Sequence, residues 1–359
     1  MIRFLTSFFF LVSLALFFSV YISPEYFPYV GLATLTIPLL LIINGFLFII
    51  LVLAKRKLAL LPLIALIVGW KFVGVTFQFR TEPEVEKGLS VLSYNVHMFS
   101  YNKTGDAKKS SSSKNLIQWL KENPSDIKCF QEFYQDPTTP SRNTIKQLGK
   151  ETGYHHFYQV IQGNPKSSTF GMAIFSRYPI VNEGIVLDSR STNGIIFADI
   201  KVEKDTIRIY NAHLESMNIP SAELKDFEGI KENYRQTLRK LKRGQVTRAS
   251  QLEILMEHME NSPYANILVG DFNDVPYSYT YFTLRNIMDN GFEKAGKGFG
   301  FTYNKVLFFL RIDNIFYDDV LDILDFKTHT EVDYSDHYPV SAVFSLEKQG
   351  KKNTPATEE

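Results

Sequence analysis

The sequence predicts an α/β or α+β domain with more than one sheet, preceded by three transmembrane helices. Three observations carry this. From Phe4 to Phe79 the chain is almost wholly apolar. From Leu89 to about Leu346, short apolar strand-like runs alternate with turns and a few helical stretches. Several of those runs end on Asn, Glu, Asp or His.

The apolar part divides into runs at about 4–22, 30–54 and 58–77. Each is about 20 residues, the length of a helix crossing a ~30 Å hydrocarbon core. The first has no small-x-small cleavage site and leads into a second run, so it reads as a span and not as a removable signal peptide. Pro62 and Lys71 interrupt the third, with Lys71 near one end, where a long side chain snorkels to the interface beside Trp70. Lys55, Arg56 and Lys57 separate the second and third runs, whereas the loop Ser23–Tyr29 carries Glu25 and no basic residue. The positive-inside rule puts Arg3 and the Lys-Arg-Lys loop in the cytoplasm, and the C-terminal domain of a multi-pass cell (inner) membrane protein outside it. Residues 1–80 thus form a membrane domain, 81–88 a charged linker, 89–346 one large α/β domain and 347–359 a disordered polar tail.

The remaining elements follow in order. Leu89–Val96 is a strand, AKKSSSSK a loop, Asn115–Glu122 a helix and Asp126–Phe130 a strand. Further strands are expected at Gly171–Ser176, Gly194–Val202, Thr206–Ala212, Asn266–Val269, Arg311–Phe316 and Val340–Phe344. A helical zone runs from Ser221 to about Glu260, broken near Gly244. The run Val306–Leu310 reads as a core strand in preference to a membrane-dipping hairpin.

Composition excludes several function classes. The formal charge is +1, which gives no global argument for a polyanionic partner. A single cysteine, Cys129, rules out disulfides within the chain, and its apolar setting Ile127–Phe130 marks a core residue, not a nucleophile. The motifs G-x-x-x-x-G-K-[ST], G-x-G-x-x-G and G-x-S-x-G do not occur, leaving nucleotide-dependent phosphoryl transfer and serine-hydrolase chemistry unsupported.

The polar strand ends are the informative feature. LSVLSYN ends at Asn95, IKCFQE at Glu132, RIYNAH at His213 and RID at Asp313; LVGDFNDVP carries Asp271 and Asn273, and YSDHYPV carries Asp336 and His337. One such residue is ordinarily a turn or a cap. Together, along one rim of a rigid sheet, they supply what a site needs. Asn95 and Glu132 are oxygen ligands suited to Mg2+ (or Mn2+), and no Cys/His spacing indicates zinc. Two histidines with several carboxylates provide acid, base and orienting partners.

The ordered series SYN, QE, SRYPI, NAHLE, GDFND, RIDNIF, SDHYPV resembles the endonuclease/exonuclease/phosphatase superfamily from about Leu89 to Leu346. The resemblance implies a four-layer sandwich: two packed mixed β-sheets flanked by helices. It also implies Mg2+-dependent hydrolysis of a phosphate ester. Carried over by position, Asn95, Glu132 and Asp336 are metal-side residues, Asp271 activates the attacking water, and Asn273 steadies the nucleophile and a phosphate oxygen. His337, oriented by Asp313, touches the scissile phosphate, and His213 is a phosphate ligand or general acid. Asp274 belongs to the turn, and Phe272 points into the core.

Departures from branch patterns leave bacterial membrane-tethered members and, more loosely, neutral sphingomyelinases as the nearest resemblance. Val269 precedes Gly270 where inositol 5-phosphatases carry tryptophan, and LRIDNIF stands where apurinic endonucleases carry W-R-L-D-Y. Tethering to the lipid bilayer favours a lipid-headgroup substrate. An extracytoplasmic endonuclease on DNA is the close alternative, and an inactive membrane scaffold the alternative of a different class. The basic stretch Lys231–Gly244 meets phosphates of nucleic acid or lipid, or is a solvated helical face. Arg248 and Gln251, on the following helix, are further candidates to approach the site.

Overall fold

A computed structural model describes residues 1–80, 88–101, 107–188, 192–217, 227–305 and 309–346. The expected linker (but for Gly88), the expected tail and residues 306–308 of the Val306–Leu310 run lie outside them. The chain forms two compact units. One comprises Met1–Gln78, Met217–Ser250 and Asp274–Asn286; the other Phe79–Ser216, Gln251–Asn273 and Ile287–Glu359.

The first unit is built on apolar helices α1 (Ile2–Ser19), α2 (Val30–Thr34), α3 (Ile37–Leu53), α4 (Leu60–Val68) and α5 (Trp70–Gly74). Among the described residues, α1 alone is long and apolar enough to cross a membrane, with a mean hydropathy of 1.9; α3 has 17 residues. The second expected span is divided between α2 and α3, with Pro38 in the first turn of α3, the position proline favours. The third is divided at Gly69 between α4 and α5, while Pro62, taken as an interruption, sits in the first turn of α4. α1, α3 and α4 pack on one another, and Asn44 donates to Ser13 Oγ at 2.7 Å between α1 and α3. Phe4, Phe8, Leu11, Leu39, Ile42 and Phe46 remain outward and exposed. Lys71 is held more closely than snorkelling implies: its ammonium donates to Tyr21 Oη at 2.9 Å and lies over the rings of Tyr21, Phe72 and Phe282.

The second unit contains two mixed sheets. In chain order the strands are β1 (Leu89–Asn95), β2 (Ile127–Gln135), β3 (His155–Gly163), β4 (Thr169–Ser176), β5 (Ile180–Asp188), β6 (Gly194–Val202), β7 (Asp205–His213), β8 (Ala265–Asp271), β9 (Asp289–Asn290), β10 (Asp313–Tyr317), β11 (Ile323–Thr328) and β12 (Val340–Phe344). One sheet runs β11-β12-β1-β2-β4-β3 and the other β9-β10-β8-β7-β6-β5. Each has one parallel pair at its centre, β1/β2 and β7/β8, and antiparallel neighbours outside it.

Strand alternation explains the layering. Leu89 and Val91 of β1 face a shared core with Ile196, Ile209 and Val269 of the other sheet, while Leu92 and Tyr94 turn to the opposite face and pack under α6 (Ala107–Glu122). Cys129 lies fully buried in the core between the sheets, where burial pushes its thiol well above the ordinary range. A polar tie crosses that core: Gln131 donates to Asn211 Oδ1 at 2.6 Å, and Asn211 donates to the carbonyls of Phe130 and Ala173. This is the α/β architecture of two mixed sheets with flanking helices.

Several expectations are corrected here. The Lys/Ser-rich stretch is helical from Ala107, within the same helix that carries Leu116 and Leu120. α7 (Phe227–Glu260) runs unbroken for 34 residues through Gly244. A Cβ there would meet Met217 Cγ and Arg248 Nη1 at 3.2 Å, so the glycine sits in a tightly packed stretch of an unbroken helix. β3, β5 and β11 are strands that the sequence reading omitted; their faces are largely exposed or half-buried, so their apolar signal is weak. Phe309 is exposed, against the core-strand reading of that run.

Candidate active site

Sheet register brings the site together. In the second sheet Gly194, His213, Asp271 and Asp313 are direct neighbours on β6, β7, β8 and β10, so one row of that sheet's rim carries two carboxylates and an imidazole. In the first sheet Asn95 ends β1, paired with Gln131, and Glu132 follows on β2. Asp336 and His337 lie in the loop that enters β12. The rims meet at Asp271: Asn95 Nδ2 donates to its Oδ2 at 3.1 Å.

Asp271 is 1% exposed, and its two oxygens have different surroundings. Oδ1 accepts from Asn273 N at 2.9 Å, the local turn bond that an aspartate makes two residues on. Oδ2 accepts from Asn95 and lies 3.6 Å from His213 Nε2 and 3.7 Å from His337 Nε2. His213 is oriented from behind, its Nδ1 being 3.1 Å from Thr192 O. His337 Nδ1 is 2.9 Å from Asp313 Oδ2, and the Tyr303 ring stacks edge-on against the imidazole with centroids 5.4 Å apart.

Burial works against a charged His337, but the carboxylates of Asp313, Asp271 and Asp336 outweigh it and push its pKa up to about 10. Burial raises Asp313 above the usual carboxylate range, opposed by His337. Both shifts point the same way: the pair keeps a proton at neutral pH.

The backbone is shaped to present these groups. Gly270 has φ +144°, and a Cβ would lie 1.9 Å from Ala212 O, so the approach of β8 to β7 at this point admits only glycine. Glu132 and Asn273 are non-glycine residues at φ 51° and 50°, and the ladder of β2 shifts register between Phe130 and Phe133 at that point. Such outliers cluster at functional sites, where surrounding structure over-determines them. Asn273 Nδ2 donates to Leu214 O at 3.0 Å, tying the loop to the end of β7. Phe272 is buried against Phe316.

Glu132 and Asp336 reach the more open side, their side chains 22% and 16% exposed. Between them stands His97, Nδ1 3.6 Å from Glu132 Oε2 and 3.2 Å from Asp336 Oδ1. Asn95 donates to Glu132 Oε1 at 3.3 Å as well as to Asp271, and its Oδ1 accepts from His97 N. As oriented, therefore, Asn95 links two carboxylates instead of turning a carbonyl toward a cation, which differs from the ligand orientation the resemblance implies. Two part-exposed carboxylates, one of them (Glu132) on strained backbone, together with a neutral amide are a donor set that fits a hard divalent cation. Asp271, Asp313 and His337 also offer ligand atoms within 4.8 Å of one another. That trio is buried and its His337 Nδ1 is spent on Asp313, so it reads as a proton-handling relay and not as the cation seat.

Of the residues singled out in the sequence, Asn95, Glu132, His213, Asp271, Asn273, Asp313, Asp336 and His337 all lie along the two facing rims, within the second unit. Arg248 and Gln251 are placed otherwise. Arg248 Nε pairs with Asp274 Oδ2 at 3.1 Å, and Gln251 Oε1 accepts from Glu215 N. Asp274 is thus more than a turn residue; it is the buried counter-ion of Arg248. Sequence reasoning missed His97, Tyr303 and Thr302. Thr302 Oγ accepts from Ile312 N and Asp313 N, and Tyr338 N donates to Thr302 O, so this segment clamps both Asp313 and the His337 loop. Their only signal is proximity in sequence to SYN and RID, which says nothing about contact.

Comparison with known proteins now decides the family. Residues 92–337, well over half of the chain, match the Endonuclease/Exonuclease/phosphatase family. The chain belongs to this family. Residues 1–76 match a separate family described as a domain of unknown function, and no curated protein matches. Solved structures with the same fold include an endonuclease/exonuclease/phosphatase from Beutenbergia cavernae (16% identity, TM-score 0.50, 73% of this chain and 72% of that one). Humanized D. rerio TDP2 is similar at 17% identity and TM-score 0.51, over 72% and 98% of the two chains. The human Nocturnin catalytic domain is similar at 16% and 0.51, over 72% and 94%. As an Endonuclease/Exonuclease/phosphatase family member, the chain is a metal-dependent hydrolase of phosphate-ester bonds, of the nuclease and phosphatase type.

Proposed function

We propose that this is a membrane-anchored, Mg2+-dependent phosphodiesterase whose Asp271 activates the attacking water. The observation that carries the reading is the convergence of Asn95, His213 and His337 on one oxygen of a buried carboxylate, Asp271 Oδ2. Glu132 and Asp336 would hold the cation, with Asn95 steadying Glu132, and the bound ion would supply Lewis acidity toward the water and the phosphate. Asp271 Oδ2 accepts the proton of the water. Asn273, fixed by Leu214 O, steadies that water and a phosphate oxygen. His337, which keeps its proton, offers Nε2–H to the scissile phosphate, while Asp313 holds the ring. His213, anchored on Thr192 O, binds the phosphate or protonates the leaving oxygen. These are groups held in position by the fold, with Asp271, Asp313, His213 and His337 buried.

The anchor is residues 1–80, taken as a multi-pass segment of the cell (inner) membrane with the catalytic domain extracytoplasmic. The exposed apolar side chains of α1 and α3 support lipid surroundings, since soluble surfaces rarely carry contiguous apolar patches of this kind. A catalytic domain held at a bilayer meets lipid headgroups at high effective concentration, so a lipid phosphodiester is the substrate class proposed. Full-length protein in detergent should release headgroup from phospholipid or sphingolipid vesicles containing Mg2+ faster than it nicks plasmid DNA. The opposite ranking would move the substrate to nucleic acid.

A further inference from the structure

The segment after β1 has an unusual backbone. His97, Met98, Phe99 and Ser100 are four successive non-glycine residues with φ of 43°, 52°, 52° and 56°. Left-handed conformation is costly for L-residues, and those that adopt it normally do so singly. The run is held in place from several sides. Phe99 is fully buried in the cluster under α6, Val96 N donates to Gln131 O, and His97 N donates to Asn95 Oδ1. Its consequence is the position of one side chain: His97 Nδ1 stands between Glu132 Oε2 and Asp336 Oδ1, at 3.6 and 3.2 Å.

The two separations from His97 Nδ1 approach what it would need as a neighbour of either carboxylate on one octahedral cation. Bonds of 2.0–2.1 Å set adjacent donors about 3 Å apart. A hydrogen bond to Asp336 explains the 3.2 Å contact alone; it does not explain why the same nitrogen also faces Glu132 across strained backbone. Resting on the metal-dependent reading above, we propose that His97 is a nitrogen ligand of the catalytic cation, completing a His97–Glu132–Asp336 set. An imidazole nitrogen in an otherwise oxygen site shifts preference from Mg2+ toward Mn2+, since imidazole suits the later divalent ions and Mg2+ selects oxygen. The site then discriminates between the two cations through His97 rather than through its carboxylates.

Metal binding to the full-length protein in detergent tests this without any turnover. Calorimetric titrations with Mn2+ and with Mg2+ are compared for wild type, His97→Ala, His97→Gln and Glu132→Gln, together with electron spin-echo spectra of the Mn2+-loaded proteins. Wild type should prefer Mn2+ and show nitrogen modulation from a bound imidazole. Both His97 variants should lose that modulation and weaken Mn2+ roughly tenfold while changing Mg2+ less, so that the preference shrinks. Modulation and preference that persist in both His97 variants overturn the proposal. Glu132→Gln separates this from the underlying reading: unchanged metal binding in Glu132→Gln removes the cation site itself, whereas weakened binding there with unchanged His97 variants removes His97 alone.

Discussion

Asp271 concentrates the consequences of the site in one carboxylate. Asp271→Asn keeps the shape and the acceptor for Asn273 N but removes the proton acceptor. Its turnover should fall on the order of 10²–10⁴-fold, with the cooperative unfolding transition retained. Measuring both kcat and thermal unfolding on the purified full-length variant checks this; an equal collapse of both makes Asp271 a structural residue. The His337–Asp313 pair gives a pH signature. His337 is raised from 6.5 to about 10 in the fold, so the native state binds the extra proton and the unfolded state releases it. Its contribution to stability is full below pH 6.5 and is lost as pH rises toward 10. Metal-free protein should therefore lose stability across that window, and Asp313→Asn should flatten the loss. Unfolding curves of the two proteins at pH 6, 8 and 10 read this directly.

Elements show why the motif residues were legible and their supports were not. Strand ends such as LVGDFN announce themselves, because an apolar run that delivers Asp and Asn is visible in one line of sequence. β6 and β12 have the bounds their patterns imply, β6 being buried almost throughout and β12 at every second residue. β3, β5 and β11 are largely exposed or half-buried and write no such run. Register is a further hidden quantity. That His213, Asp271 and Asp313 stand side by side follows from β7, β8 and β10 pairing, which residue types alone do not state. His97 and Tyr303 were invisible for the same reason: backbone conformation and a clamp from a distant segment place them. Gly270 offers a test at this scale. Gly270→Ala drives a Cβ into Ala212 O and keeps φ +144°, so it should destabilise by roughly 2 kcal/mol or more, seen as a lower unfolding midpoint. A midpoint unchanged from wild type contradicts the close approach of β7 and β8.

For the whole molecule, the sequence reading of three long apolar runs meets a structure in which α1 is the helix of full spanning length and the other runs are divided. Hydropathy records how apolar a segment is, not where Pro38 or Gly69 shapes the helix, and so run length overstated helix length. The proposed placement of the catalytic domain predicts that a C-terminal alkaline phosphatase fusion is active and a cytoplasmic reporter fusion at the same point is silent. The reverse pair of signals puts the domain on the other face. The central claim is a cation-dependent phosphodiesterase centred on Asp271, and hydrolysis of bis-p-nitrophenyl phosphate by the full-length protein tests it most directly. The account predicts turnover with Mg2+ or Mn2+, none with chelator, and a loss of at least about 10²-fold in Asp271→Asn. A folded wild-type protein that shows no cation-dependent turnover, or an Asp271→Asn variant as active as wild type, contradicts it.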